Sequence, residues 1–236
     1  MEASTLGGTG WSQTYNYDQY GNQWVDPGLV LSSFTPTSQS NYIASNNRMN
    51  LVEYDAAGNM TTRGSNALTW DAEGRRVKDV QTVSGNTYPT LYVYDGEGRR
   101  VKKQTYDGRK TIFVYDAASR LVAEYSDVAG SDCATCYLFG DHLGSTRMVA
   151  DAGGAVRKRF DYMPFGVEIK LGSGFASSNG RSAEHESGTP VTLQFTGAYR
   201  DGAPGEVPVD FMGARSLQRG QGRWTSPNTL HLTTFL

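Results

Sequence analysis

Long apolar runs are missing from this chain. No stretch of its 236 residues approaches the roughly 20 consecutive apolar positions that a membrane-spanning helix needs. The opening MEASTLGGTGWSQ lacks the basic and apolar regions of a secretory signal, so these residues show no export route and leave the location open. An excess of one charge is missing too. With 22 Lys and Arg against 24 Asp and Glu, the net charge is −2, and no overall field favours nucleic acid or an anionic membrane. Cysteine is scarce: Cys133 and Cys136 form a single Cys-x-x-Cys, and only His142, His185 and His231 could join them, too few for a tetrahedral zinc site. A redox pair would open a helix, whereas this one follows Asp132 and runs into strand-like Tyr137-Leu138-Phe139. Fully extended, residues three apart stand roughly 10 Å apart at Cα, beyond disulfide reach. The pair is therefore expected to be unbridged, and a local disulfide requires a turn. No catalytic, metal or cofactor-binding residue is assigned.

What is abundant is glycine and tyrosine, 28 and 14 residues, which beside Val and Thr suits short strands joined by tight turns. The clearest unit is LYVYDGEGRRVKK, from Leu91 to Lys103. Strand formers flank an Asp-x-x-Gly break, which reads as a β-hairpin. The Asp95 carboxylate suits the first turn position because it can accept an amide two residues on. Gly98 suits the fourth, where a type I turn with a G1 bulge needs positive φ. The simplest register pairs Asp95 with Arg99, Tyr94 with Arg100 and Val93 with Val101. It puts Leu91, Val93 and Val101 on one face, and Tyr92, Tyr94, Arg100 and Lys102 on the other.

The break recurs. Asp-x-x-Gly starts at Asp18, Asp55, Asp71, Asp95, Asp127, Asp141, Asp151 and Asp210, eight of the fifteen aspartates. Random placement would give roughly two, so the excess marks a repeat protein. Four copies carry an aromatic before the aspartate: Tyr17-Asp18 with Gly21, Tyr54-Asp55 with Gly58, Trp70-Asp71 with Gly74, and Tyr94-Asp95 with Gly98. Tyr115-Asp116 is a fifth, with Ser119 in place of glycine. The same register would pair Val114 with Val122 and Thr69 with Val77. The expected fold is all-β: consecutive antiparallel hairpins in one sheet.

These units resemble the YD repeats of bacterial RHS proteins. Further along, Asp141-His142-Leu143-Gly144-Ser145-Thr146-Arg147, then Phe160-Asp161-Tyr162-Met163-Pro164-Phe165-Gly166, then Gly213-Ala214-Arg215 and Gly222-Arg223-Trp224-Thr225-Ser226-Pro227 resemble the RHS repeat-associated core, in the same order. The resemblance runs from about Tyr15 to Asn228. It implies a β-sheet that spirals into a hollow shell, secreted or at the bacterial surface, enclosing or presenting an attached C-terminal toxin polypeptide. Its partners would be other YD-repeat segments or that effector. On this reading residues 1–14 are an irregular lead-in, 15–136 the hairpin array, 137–228 the core-like segment and 229–236 a tail. The Gly-, Ser-, Asn- and Glu-rich stretch 167–190 is expected to be a mobile loop, and the surroundings of Ala203-Pro204 and Val207-Pro208 to be irregular. The few repeats, and an end at TLHLTTFL with no toxin domain, suggest a truncated portion of such a shell.

Many relatives cleave themselves just after the core, using aspartates of Asp-Pro motifs aided by an arginine. Here the first aspartate falls on Asn228, whose amide cannot act as a general base, and the second has no counterpart; only Arg223 remains. Self-cleavage is not expected. His142 reads as bonding the turn backbone, Ser145 as an ordinary turn residue. Arg75-Arg76, Arg99-Arg100 and Arg157-Lys158-Arg159, each on an outgoing strand, read as solvated faces with Asp or Tyr partners rather than a nucleic-acid stripe. A rival function is glycan binding, with Tyr92 and Tyr94 as stacking platforms beside Asp and Asn.

Overall fold

The computed structural model describes residues 2–3, 11–12, 14–26, 35–127, 135–169, 191–202 and 208–228. Three short antiparallel pairs come first: β1 (Glu2–Ala3) with β2 (Trp11–Ser12), β3 (Tyr15–Tyr17) with β4 (Gln23–Val25), and β5 (Tyr42–Ile43) with β6 (Arg48–Met49). A seven-stranded sheet follows, built from β7 (Thr62–Arg63), β8 (Asn66–Trp70), β9 (Arg76–Val83), β10 (Asn86–Tyr94), β11 (Arg100–Gln104), β12 (Lys110–Tyr115) and β13 (Leu121–Ser126). Each strand pairs antiparallel with its sequence neighbours, as expected when every connection is a tight hairpin. The fold is all-β, with short 3-10 turns as its only helical elements among the described residues.

Next come a three-stranded sheet, β14 (Cys136–Gly140), β15 (Thr146–Asp151) and β16 (Val156–Arg159), and a four-stranded one, β17 (Tyr199–Asp201), β18 (Val209–Met212), β19 (Arg215–Gln218) and β20 (Arg223–Trp224). Two compact units share the chain. One comprises Met1–Asn50, Ser131–Tyr199 and Gln218–Arg223; the other comprises Leu51–Gly130, Arg200–Leu217 and Trp224–Leu236. Of the stretch 167–190, only residues 167–169 are described: Glu168 bridges Tyr162, and the Ile169 amide donates to Asp161 O at 2.8 Å. Residues 203–207 lie outside the described set.

The register differs from the simplest hairpin by one residue. Tyr94 does oppose Arg100, but a bulge follows and Val93 opposes Lys102, not Val101. Likewise Val114 opposes Ala123 rather than Val122, and Thr69 opposes Lys78 rather than Val77. The difference is a second bulge outside the turn: Val101, Val122 and Val77, each six residues after the turn aspartate, are the extra residues, setting two residues of the outgoing strand against one of the incoming strand.

The faces are inverted relative to a simple apolar-in pattern. Leu91 and Val93 are each 45% exposed, whereas Tyr92 is buried and Arg100 is 1% exposed. The inward face of the seven-stranded sheet carries Leu68, Arg76, Asp79, Tyr92, Arg100 and Phe113. A charged inward face is stable only if every charge is paired within it.

Candidate functional site

One turn recurs with the same atoms in the same places. In the unit at Asp95, Oδ1 accepts the Glu97 amide at 3.0 Å and the Arg99 amide at 2.8 Å, and Oδ2 accepts Arg99 Nε at 2.7 Å. The backbone closes with Gly98 N donating to Asp95 O at 3.1 Å, and Gly98 has φ 80°. Asp71 repeats this with Glu73 and Arg75, and Asp116 with Ala118 and Arg120. At Asp18 and Asp55 the partner four residues on is Asn22 and Asn59, each giving main-chain and side-chain N–H. Gly21, Gly58 and Gly74 take the same left-handed conformation, and Ser119 takes it at φ 61°. Asp141 and Asp151 hold the backbone half of the pattern, accepting from Leu143 and Ser145, and from Gly153 and Ala155. Loss of water works against the Asp95 charge, but its bonds to Arg99 hold the carboxyl below the ordinary carboxylate range.

One aspartate of the sequence pattern does not belong to it. Asp210 lies inside β18, fully buried, and grips Arg200 through both oxygens at 3.0 and 3.2 Å; the turn falls later, at Gly213 with φ 77°. At Asp127 the amide donates to Lys110 O at 3.1 Å and Oδ1 accepts the Lys110 amide, while the residues that follow lie outside the described set. One turn carries no such aspartate: Thr105 N bonds Arg109 O and Gly108 N bonds Thr105 O, with Asp107 accepting from the Thr105 hydroxyl at 2.7 Å. Only the Gly-Arg spacing of Gly108-Arg109 could have flagged it.

The aromatic before each aspartate ties one unit to the one before. Tyr94 Oη donates to Arg76 O at 2.9 Å, Tyr115 Oη to Arg100 O at 3.0 Å, and Trp70 Nε1 to Met60 O at 2.7 Å. Each acceptor lies five residues after the preceding turn aspartate. The arginine at the fourth position lies over the same ring: Arg75 stands 5.5 Å from the Tyr94 centroid and Arg99 5.6 Å from that of Tyr115. The aspartate therefore fixes its arginine, the arginine covers the next aromatic, and the aromatic satisfies a carbonyl between units. The Tyr17 ring is exposed, and Tyr54 bridges Met60.

The fifth position points inward. Met60, Arg76 and Arg100 all occupy it, at 0, 2 and 1% exposure. Arg76 Nη2 and Arg100 Nη1 donate to the same oxygen of Asp201, at 2.5 and 2.8 Å. Arg76 Nη1 lies 3.2 Å from Asp79 Oδ2, which also accepts the Tyr92 hydroxyl at 2.9 Å. The Arg100 guanidinium is enclosed by rings, 4.2 Å from the Phe211 centroid, 5.1 Å from Phe113 and 5.3 Å from Tyr92. Burial disfavours the Asp201 charge, yet Arg100 and Arg76 hold its carboxyl below the ordinary range. Arg76 and Arg100 are thus buried, which corrects the expectation of solvated faces, while their partners are Asp and Tyr as expected. Asp201, 125 residues from Arg76, supplies the compensating charge. Tyr92 and Tyr94 are not free platforms for a sugar either, since the Tyr92 ring is buried and both hydroxyls are engaged.

Most of the core-like motifs lie in the other unit. Ser145 is more than an ordinary turn residue: it is buried, and its Oγ accepts the Thr196 amide at 2.9 Å, while Thr146 donates its amide and hydroxyl to Gln194 O and Leu193 O. Gly144, at φ 80°, packs against the Thr196–Gly197 backbone. Arg147 pairs with Asp161 at 2.7 Å and lies over Tyr162. His142 and Leu143 occupy the outward positions of this turn and are exposed; the imidazole makes no hydrogen bond among the described residues, so it does not bond the turn backbone. Pro164-Phe165-Gly166 makes a tight turn with Phe165 at φ 66°. A Cβ on Gly166 would stand 2.8 Å from the Phe195 ring, so only glycine fits. Arg215, beyond Gly213, lies over Trp224 at 4.2 Å. Arg223 donates to the side chain of Asn22 and, at 2.9 Å, to Asn47 O. Asn228 is exposed. Cys136 is disulfide-bonded, which overturns the unbridged reading; Cys133, the only other cysteine, lies outside the described residues.

Residues 94–132 match the RHS Repeat family model. The tRNA nuclease WapA of Bacillus subtilis (strain 168) is 30% identical over 135 residues, which is 54% of this chain and 5% of that protein. Teneurin-1 of Gallus gallus is 26% identical over 204 residues, 77% of this chain and 7% of that one. Among solved structures, the TcdB2–TccC3 complex matches with a TM-score of 0.62 at 19% identity, covering 92% of this chain and 12% of its own. A Photorhabdus luminescens Tc holotoxin pore gives 0.61 at 19% identity with the same coverage. The chain thus spans only a small fraction of the length of the relatives it matches. Recurrent aspartate turns, the family-model match over 94–132 and the likeness to WapA support an RHS/YD-repeat protein, and the solved structures share its fold.

Proposed function

We propose that this chain is a non-enzymatic wall segment that encloses or presents an attached C-terminal effector polypeptide, acting outside the cell or at its surface. The observation that carries this reading is the employment of the motif residues. The turn aspartates, their arginines and the following aromatics are spent on one another and on backbone groups, leaving an architectural role. The core-like segment from Asp141 to Gly166 closes the wall in this reading. Similarity to WapA and to Tc toxin structures supports a toxin-linked setting.

The chain does not cut itself in this account. Asn228 has no carboxylate to activate water, and Arg223 is held by Asn22 and Asn47. Intact mass spectrometry of the purified chain is expected to give the uncleaved mass over days; a clean cut near Asn228 would reverse the assignment. Enclosure is tested by fusing an unfolded, protease-sensitive reporter after Leu236. The reporter should resist limited trypsin while the wall is folded and lose protection in the Asp201→Asn variant. Equal digestion in both, and in free reporter, would remove the enclosing role.

A further inference from the structure

We infer that the outward face of the seven-stranded sheet docks a polypeptide segment in which acidic and aliphatic side chains interleave. Residues opposed across antiparallel strands share a face, so the register fixes what that face carries. One row runs Lys78, Leu91, Gln104, Lys110 across β9, β10, β11 and β12. The next runs Val93, Lys102, Ile112, Tyr125 across β10, β11, β12 and β13. The bulge at Val101 is what turns Lys102 onto this face, opposite Val93 and away from Tyr92. Val114 lies two residues beyond Ile112, on the same side of β12. Ile112, Val114 and Tyr125 are 41, 40 and 66% exposed, beside the half-exposed Leu91 and Val93. These five side chains make one apolar tract open to solvent, the mark of a contact surface.

Charge decides what fits it. Strands β8 to β13 carry two acids: Asp79 is fully buried, and Glu124 opposes the buried Phe113 in the inward register. The outward rows therefore hold three ammonium groups and no carboxylate. Asp127, just past β13, accepts the Lys110 main-chain amide rather than the ammonium. Among the described residues Lys78, Lys102 and Lys110 enter no ion pair. Three strand spacings set Lys78 and Lys110 about 14 Å apart, with Lys102 in the next row. The lysines stand within the apolar tract: Lys102 separates Val93 from Ile112, and Lys78 borders Leu91. A bilayer would have to take these ammonium groups in with the aliphatic side chains, which is costly. Nucleic acid wants rings to stack on, and in these rows Tyr125 stands alone among aliphatics. A polypeptide can set a carboxylate against each lysine and an aliphatic side chain between them, matching the face in both respects. The contact needs no enclosure, so the trypsin-protection result for a fused reporter does not decide it.

The test is fluorescence anisotropy of the full chain with a fluorescein-labelled peptide of Leu-Glu repeats as probe. Wild type should bind it saturably, and more weakly as salt is raised. Lys78→Gln, Lys102→Gln and Lys110→Gln combined should weaken binding roughly tenfold or more, whereas the same three positions changed to Arg should keep it. Ile112→Thr should weaken it several-fold, and a peptide of Leu-Gln repeats should bind roughly tenfold or more weakly to wild type. Circular dichroism checks that each variant keeps its fold. Absence of saturable binding to the Leu-Glu peptide would overturn the inference. So would binding indifferent to the triple Gln change or to Ile112→Thr. Lysine-dependent binding of phosphatidylserine vesicles or of a thymidine oligonucleotide in preference to the peptide would overturn it too.

Discussion

The Tyr94 hydroxyl donates to the main-chain carbonyl of Arg76 at 2.9 Å, joining the loop of one repeat to the outgoing strand of the repeat before it. Tyr115 makes the same bond to Arg100. A tyrosine before the aspartate is therefore a connector as well as a strand residue. Tyr94→Phe leaves that carbonyl without its donor and should cost about 1 kcal/mol, with Tyr115→Phe similar. Urea unfolding of the single variants and of the pair measures it.

Burial pushes the Tyr94 phenol up to about 12 from its ordinary value of 10.0. A raised pKa means that the folded state holds the proton while the unfolded state gives it up. Its stabilisation is complete below about pH 10 and is lost as pH rises through about 12. Absorbance titration of phenolate should show a late-titrating component that shrinks in Tyr94→Phe, beside Tyr15 and Tyr115, which burial also raises.

At the turns, Gly98 has φ 80° and a Cβ there would meet nothing within 4 Å, so backbone conformation rather than space restricts it. Gly98→Val should cost roughly 1–2 kcal/mol or more, and Gly98→Asn much less, because Asn tolerates the left-handed region. Conversely Ser119, strained at φ 61°, should gain on Ser119→Gly, by about 0.5–1 kcal/mol after the entropy of glycine is deducted. Paired denaturation curves read both directions.

The hairpins were legible in the sequence because a turn is local chemistry: Asp95, Gly98 and their neighbours contain all its parts. Register was harder, since the bulge that sets Val93 against Lys102 lies in the outgoing strand beyond the turn, at Val101, where no turn residue marks it. The inward face was not legible at all. Arg99 and Arg100 look alike in sequence, yet one clamps Asp95 at the surface and the other meets Asp201, 101 residues away. No local pattern announces a counter-charge at that separation. Thr105 escaped because it replaces the aspartate, and Asp210 misled because its glycine spacing is incidental to a strand position.

Asp201 offers the sharpest acid response. Its carboxyl is held below the ordinary value of 3.8, so the stabilisation is present above about pH 4 and lost as pH falls further. Asp201→Asn leaves Arg76 and Arg100 buried beside a neutral amide and should cost about 3–5 kcal/mol at neutral pH. Its stability should also fall less steeply with acid than that of wild type, which chemical denaturation at several pH values records.

Amide hydrogen exchange at Arg75, Arg99 and Arg120, followed residue by residue by NMR, bears most directly on the aspartate turns as the organising unit. Each amide sits at a half-exposed or exposed loop and donates to a carboxylate at 2.8–2.9 Å. All three should exchange far more slowly than an unstructured peptide, and Asp95→Ala should release Arg99 first. Exchange at the unstructured rate in the wild-type chain would contradict the account.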